Sequence, residues 1–294
     1  MRNVADFSFR PTVPDSVPGV SPSTPPQDRR ARFDRRIETQ RAGDRPWGDG
    51  IYRRRITVRR TGPATVVGEL EDDFHHFGVQ IDHDDTEITA IAADAERHPW
   101  DICAEADRPI RTIIGTTLRD HPSVLSEHDA RANCTHLFDL TGLVVAHAAR
   151  STTERRFEAE VADPDEHGDR TARLWVDGDL TIEWAMRQRD IVGPDRWAGA
   201  PLWNGFMGWA LTELDDATAE AAIVLRRAVD ISRGRMQDLD DYRSNSELAG
   251  FMTGICHAFT PENNERGVRL VGSARDFTDQ PELLLADFDD RNPN

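Results

Sequence analysis

The chain has 294 residues and a formal net charge of -17 at pH 7, and all 36 of its lysine-plus-arginine residues are arginine. The absence of lysine excludes a Schiff-base lysine, a lysine-anchored pyridoxal cofactor and the lysine of a phosphate-binding loop. The negative charge argues against a nucleic-acid partner, because a surface of that sign repels phosphate groups.

Residues 1–48 are predicted to form an N-terminal arm. Proline recurs between Pro11 and Pro26, and an arginine- and aspartate-rich run follows, so little apolar surface is available to offset the entropy of ordering. We expect this arm to be disordered or draped over the folded part. An arm that crosses to a second subunit of a homodimer is the alternative.

The first folded segment, residues 49–150, begins with patterns of period two that are typical of strands. They predict an exposed strand and then three short strands, at residues 53–60, 65–70, 77–81 and 87–93. Short connections between them indicate an antiparallel meander. The period then changes to that of helices, and one helix is predicted behind Pro109 and another from Cys134 to Arg150.

The second segment, residues 151–280, repeats this order loosely. Strands are predicted first and helices after them, at residues 155–161, 171–176, 180–187, 204–214 and 217–239. The sequence therefore predicts an α+β fold in which an antiparallel meander packs against helices, and the repeated order suggests two similar halves. Residues 281–294 are predicted to be an acidic, solvated tail.

The sequence gives no indication of a membrane or a secretory segment. No apolar run approaches the roughly 20 residues that a membrane helix needs, and the N-terminus lacks the apolar core of a signal peptide. Three unevenly spaced cysteines do not make a disulfide framework. We therefore expect a cytoplasmic protein that does not bind membranes.

The densest group of chemically active residues begins at Asp72 and Asp73, which are followed by His75 and His76. A carboxylate next to an imidazole can set its tautomer for work as a general base. Successive side chains of a strand point to opposite faces, so only one of the two histidines can face a given pocket. The alternative is a solvated hairpin end.

A second group, Cys134 and His136, lies at the predicted start of a helix. The positive end of the helix would favour a thiolate at Cys134, which together with His136 is a candidate for the acid that opposes the base. Asn133 is a plausible N-cap. His136 is predicted to lie on the side of its helix opposite the apolar stripe, where the two halves of the chain meet. For Cys134 the alternative is a small buried residue that packs the start of the helix.

Aromatic residues suggest the walls of a binding pocket. The candidates for substrate binding are Trp100, Cys103, Trp184 and Arg187. Such a mixture suits an apolar ligand that a few polar groups orient. Tryptophan in the core and a structural cysteine are the alternatives.

Four motifs in order resemble a bacterial family known as domain of unknown function 2889. They are Glu71 to His76, Arg97-His98-Pro99 with Cys103 and Ala106, Cys134 to Leu137, and Cys256 to Phe259 with Arg275-Asp276-Phe277. The resemblance covers nearly everything after the arm. It implies a common fold but no activity, because the family name carries none.

A more distant similarity is to the iron–sulfur scaffold proteins of the NifU and IscU type. On that pattern Cys134 matches a ligand cysteine, and His75 stands where the ligand aspartate is expected. The other positions do not match: the first ligand cysteine falls on Asp73, the second falls near Pro99, and Asn133 stands in place of a histidine. One thiol cannot hold a cluster that normally needs several. The similarity implies an α+β core whose metal corner has become a pocket.

We interpret the chain as a bacterial catabolic enzyme that performs a lyase, hydratase or isomerase step on an apolar, for example aromatic or alicyclic, small molecule. No glycine-rich dinucleotide loop, GxSxG, HExxH or CxxC motif is present, so we expect acid–base chemistry with no organic cofactor and no bound metal. Two alternatives remain open. One is a metal-binding or metal-transfer module that uses His75, Cys134 and a carboxylate, and the other is a non-catalytic ligand-binding or assembly protein.

Overall fold

The strands form a single antiparallel sheet in the order β4-β3-β2-β1-β5-β6-β7-β8. The computed structural model describes residues 45–292, so nearly all of the predicted N-terminal arm lies outside the described residues. The strands are β1 (Ile51–Gly62), β2 (Thr65–Asp72), β3 (His76–His83), β4 (Ile88–Arg97), β5 (Glu154–Ala162), β6 (Asp169–Val176), β7 (Asp179–Arg187) and β8 (Asp190–Gly193). Because β1 pairs with β5, each half of the chain contributes a meander that runs to its own edge. The predicted α+β class is confirmed. In each half the strands follow one another in chain order from the centre of the sheet to its edge.

Three longer helices cover one face of this sheet. They are α1 (Thr135–Ala148), α2 (Phe206–Glu213) and α3 (Asp216–Ser232). Helix α1 packs across β1, β2 and β3, and α3 packs across β5, β6 and β7. Arg227 of α3 donates to Asp139 of α1 at 2.5 Å, which joins the two helices on the same side. We call this covered side the inner face.

Short helical turns make up much of the remainder. Their bounds are Asp101–Ala106, Asp107–Ile110, Arg111–Ile113, Arg233–Met236, Leu239–Asp241, Asn245–Glu247, Ala249–Met252, His257–Phe259, Pro261–Asn264, Pro281–Leu283 and Phe288–Arg291. The helix predicted behind Pro109 is present only as short turns, and the helical backbone ends at Ile113. The backbone turns away at Gly115, whose φ of +88° is a left-handed conformation that glycine adopts readily. None of the helices in residues 45–292 has both the length and the apolar character needed to cross a membrane.

The distance between α1 and the sheet depends on one glycine of β2. A Cβ atom at Gly68 would lie 2.5 Å from Val144 Cγ2 and 3.1 Å from Leu140 Cδ1, so any larger residue would push the helix outward. Leu137, Leu140 and Val144 are each no more than 1% exposed and form the seam of α1. This close packing holds the first turn of α1 against the ends of β2 and β3.

The strand predicted to be exposed, β1, is instead central in the sheet. Its arginines alternate in direction, and those on the outer face meet glutamates on β5. The pairs are Arg53–Glu160, Arg55–Glu158 and Arg59–Glu154. A run of arginine is thus compatible with a central strand, because a neighbouring strand supplies a matching row of carboxylates.

The prediction of a solvated C-terminal tail is also wrong for the described residues up to 292. Leu284, Leu285 and Phe288 are buried, and Leu285 and Phe288 form a small apolar cluster with Val67. The backbone N–H of Leu285 donates to Glu71 Oε2 at 2.8 Å. The prediction followed from the acidic composition of the segment. Its few apolar residues nevertheless pack on the outer face of β2 and hold the segment there.

Candidate functional site

Asp72 ends β2 and organises the turn that leads into β3. Its Oδ1 accepts hydrogen bonds from the backbone N–H groups of Phe74 and His75, each 2.9 Å long. The backbone N–H of Asp72 donates in turn to the carbonyl of His75 at 2.8 Å. This is a side-chain-capped turn of the kind that aspartate favours. It directs His75 to the inner face and leaves His76, the first residue of β3, on the outer face.

The carboxylate of Asp72 is fully buried and is held by β1. Its Oδ2 accepts from the Tyr52 hydroxyl and from Arg54 Nη2, both at 2.7 Å. His75 Nδ1 lies 3.1 Å from Oδ1. Burial alone would raise the pKa of Asp72, but His75 and Arg54 hold that pKa well below its usual value. The group is therefore a fixed anion at neutral pH.

His75 and His136 form a stacked pair beside this anion. Their ring centroids are 3.6 Å apart with an interplanar angle of 27°, and Phe77 stacks on both rings at 5.8 and 6.0 Å. The structure therefore brings His75 of the first group and His136 of the second into direct contact. We call Asp72, His75 and His136 the Asp72 cluster.

His136 does not lie opposite the inward stripe of α1, as the sequence predicted. It is 6% exposed and faces the sheet, because positions four apart on a helix share a face and His136 precedes Leu140 by four. Burial, the neighbouring His75 and Arg54 lower the pKa of His136 well below its usual value. Its Nε2 is buried without a hydrogen-bond partner among the described residues.

The tautomer of His75 follows from its partner. A carboxylate only accepts hydrogen bonds, so His75 Nδ1 carries the proton and Nε2 carries the lone pair. Burial lowers the pKa of His75, although Asp72 opposes that effect. The side chain is 12% exposed. Chemically, the arrangement is a largely buried base that a buried anion holds in place.

The same three residues could offer ligands to a metal ion. One ligand atom from each lies within 4.8 Å of the other two. The lone pair of an imidazole points along its ring plane, however, and these two planes are nearly parallel at stacking distance. A metal ion could therefore bind both histidines only after one ring turned.

His76 and Asp73, two further candidates for catalysis, are not part of this cluster. His76 Nε2 lies 3.1 Å from Glu69 Oε2 on the outer face, with Glu71 and Glu96 nearby. Burial would lower the pKa of His76, but these glutamates raise it. Asp73 accepts from Arg235 Nη1 at 2.6 Å, and burial raises the pKa of Asp73 to about 7 although Arg235 opposes this. Both residues belong to buried ion networks.

Cys134 does not provide the thiolate that the sequence suggested. It immediately precedes α1 and is buried, and burial raises the pKa of its thiol to about 12, although the backbone N–H groups of the helix start oppose this. Desolvation thus outweighs the effect of the helix end. Burial also raises the pKa of Cys103 well above its usual value. All three cysteines of the chain are free thiols.

The residues predicted to bind substrate are dispersed. Trp100 is buried and packs edge-on against Phe259 at 5.9 Å. Trp184 is fully buried in an aromatic group with Trp197 and Phe206, and Arg187 is exposed and paired with Asp169. β7 lies four places from β2 in the sheet, or roughly 19 Å at the usual strand spacing. The structure therefore brings neither Trp184 nor Arg187 to the Asp72 cluster.

A cavity of about 500 Å³ lies in the loop between residues 114 and 128. Its two imidazoles are already engaged, since His128 Nε2 contacts Thr116 at 2.8 Å and His121 Nδ1 contacts Ser123 at 2.7 Å. None of the predicted site residues lines it. We do not place the site there.

Tyr52 and Arg54 are the partners that the sequence did not identify. Arg54 pairs in register with Asp72 across β1 and β2 and is 2% exposed. The sequence does contain an indication of the role of Arg54. Every second residue of β1 lies on the same face of the sheet, so Arg54 shares a face with Tyr52, Ile56 and Val58, which are apolar or aromatic. A buried arginine requires a carboxylate partner.

Comparison with known proteins finds a family model that matches part of the chain, and it indicates no activity. The family described as "Protein of unknown function (DUF2889)" matches residues 56–150. The predicted resemblance is confirmed for these residues, which include the whole Asp72 cluster and α1. No curated protein matches the chain. The similarity to NifU- and IscU-type scaffolds stays a prediction.

Proposed function

We propose that the Asp72 cluster is the active site of an enzyme that moves protons to and from a small, largely apolar molecule without an organic cofactor. The observation that carries this proposal is the hydrogen bond from His75 Nδ1 to the buried carboxylate of Asp72. It leaves the lone pair of His75 on Nε2, the ring nitrogen that does not contact Asp72, where it can act as a base. The free cysteines support a reducing, cytoplasmic setting.

Each residue has a distinct role in this proposal. His75 takes the proton. Asp72 is a positioning residue that keeps Nδ1 of His75 protonated. His136, whose ring stacks on that of His75, donates or accepts through Nε2. Tyr52 and Arg54 fix the carboxylate, so the imidazole needs no reorganisation during proton transfer.

The first test measures proton exchange on carbon. The purified protein is incubated in D₂O with small carboxylic acids and thioesters, and deuterium incorporation is followed by mass spectrometry. We expect His75→Gln to lose about 10²-fold or more of the rate, the usual contribution of a general base. Because burial lowers the pKa of His75, the wild-type rate should fall only when the pH drops below the ordinary histidine range.

His167→Gln is the matched control for this variant. His167 is exposed in the turn between β5 and β6, where its ring lies near Glu166. It should exchange deuterium at the wild-type rate. Equal rates in His75→Gln and wild type, or no exchange by the wild type, would instead favour the non-catalytic, ligand-binding alternative.

A metal-binding function is the second candidate, since three ligand atoms lie within 4.8 Å of one another. Because the stacked rings do not direct their lone pairs to one point, we expect protein purified without added metal to carry well under one equivalent of zinc or iron. Elemental analysis of the purified protein measures this. Stoichiometric metal that disappears in a His136→Phe variant would contradict the expectation and favour the second candidate.

A further inference from the structure

We infer that Asp72, His75 and His136 together hold one oxygen atom, that of a water molecule or of a substrate hydroxyl, and that the reaction adds or removes water. This inference rests on the proposed function and narrows it to one reaction class. It begins from His136, whose Nε2 is buried and without a partner among the described residues. An unsatisfied buried nitrogen costs about 1–3 kcal/mol, so a bound polar group is expected at this point.

The spacing of the three side chains suits an oxygen atom. Three atoms that all lie within 4.8 Å of one another leave a point that is no more than about 2.8 Å from any of them, which is within hydrogen-bond reach. His136 Nε2 and Asp72 Oδ2 are 3.8 Å apart. That separation is too long for a direct hydrogen bond and short enough for one oxygen to bridge.

The charges around the cluster also favour a neutral oxygen over a cation. The guanidinium of Arg54, itself 2% exposed, already donates to Asp72 Oδ2 at 2.7 Å, so the anion is neutralised. Burial first, and then His75 and Arg54, lower the pKa of His136 and keep its ring uncharged. A hydroxyl group can both donate to the carboxylate and accept from an imidazole N–H, which a cation cannot do.

A base next to a bound water defines the chemistry. In the direction of hydration, His75 Nε2 takes one proton from the water while the oxygen bonds to the β-carbon of a double bond conjugated to a carbonyl. The π electrons move to the α-carbon, which takes a proton back from the His75 imidazolium. Water and the alkene are consumed, a β-hydroxy compound forms, and the side chains return to their initial state. Elimination is the reverse.

The test uses the full chain and two isotopic labels. A panel of 3-hydroxy and α,β-unsaturated acids, as thioesters of N-acetylcysteamine, is incubated in H₂¹⁸O and in parallel in D₂O. We expect the wild type and His167→Gln to introduce both labels. His136→Phe keeps a stacking ring but has no nitrogen, so it should stay folded and lose about 10-fold or more of the ¹⁸O incorporation.

The outcomes separate this inference from the proposed function. Deuterium without ¹⁸O would leave proton transfer standing and overturn the addition of water. Neither label with any thioester would contradict both. A crystal structure provides a readout that needs no substrate: we expect an ordered oxygen within about 3.2 Å of all three side chains. An empty site, or an ion at bonding distance, would overturn the inference.

Discussion

Replacing Asp72 with asparagine should lower the free energy of unfolding by about 3–5 kcal/mol, because Arg54 would remain buried without a counter-charge. The asparagine can still cap the turn through its Oδ1, so the loss reports the charge and not the shape. Urea unfolding at pH 7 measures it. Exchange of deuterium into substrate should fall as well, because the amide oxygen of asparagine carries no charge to stabilise the imidazolium that forms when His75 takes a proton.

The pH dependence adds a second readout for this variant. The folded-state pKa of Asp72 lies below its unfolded value near 3.9, so its contribution to stability is present above about pH 4 and is lost as the pH falls further. The Asp72→Asn variant should lack this part of the acid-side loss. An equal loss in both proteins between pH 4 and pH 2 would show that Asp72 is not the group responsible.

The neighbouring aspartate provides a matched control. Burial raises the folded-state pKa of Asp73 to about 7, so this residue costs stability as the pH rises from about 4 through 7. Asp73→Asn should therefore be as stable as wild type, or more stable, at pH 8. Arg235 would still contact Asp163 and Asp276. Two adjacent aspartates that behave alike would contradict the assignment of Asp72 and Asp73 to separate ion networks.

Much of the sheet could be predicted because its strands alternate cleanly. On β2, Val66, Gly68 and Leu70 face the helices, and Val67 and Glu69 face outward. The strands of the second half alternate in the same way, with Ile182, Trp184 and Met186 buried along β7. The position of β1 could not be predicted, because an arginine-rich strand becomes central only when glutamates on β5 come into register with it.

The candidate site could be predicted only in part, and register explains why. Asp72, His75 and His136 stood out from residue type alone. Which of His75 and His76 faces inward depends on where β3 begins, since a shift of one residue exchanges the two faces. The partnership of Arg54 with Asp72 depends on the pairing of β1 with β2. Local periodicity reveals neither the residue at which β3 begins nor the register in which β1 pairs with β2.

The aromatic candidates failed for a different reason. Trp184 and Arg187 are close to each other in sequence and chemically suited to a pocket, but they lie on a strand far from β2 in the sheet. Trp184 is fully buried and fills the core of the second half. Local composition does not reveal which strands become neighbours, so the sequence could not show that Trp184 and Arg187 lie far from the Asp72 cluster.

Arg235→Met should be as destabilising as the change at Asp72, with a loss of about 3–5 kcal/mol at pH 8. The side chain of Arg235 is 3% exposed and contacts three buried carboxylates. They are Asp73 at 2.6 Å, Asp163 at 3.0 Å and Asp276 at 3.5 Å. Without the guanidinium these carboxylates would remain buried with too little positive charge, although Arg45 also contacts Asp276.

The deficit of Arg235→Met should shrink as the pH is lowered from 8 to 5. Arg235 lowers the folded-state pKa values of Asp73 and Asp276, so its loss raises them. The folded state of the variant then binds more protons than the unfolded state in that range and gains stability as the pH falls. Arg233→Met is the control: its side chain is 50% exposed and contacts Asp230 at 3.8 Å, so a change within about 0.5 kcal/mol is expected. A deficit in Arg235→Met that is the same at pH 5 and pH 8 would mean that lost packing, and not the unpaired carboxylates beside the Asp72 turn, limits stability.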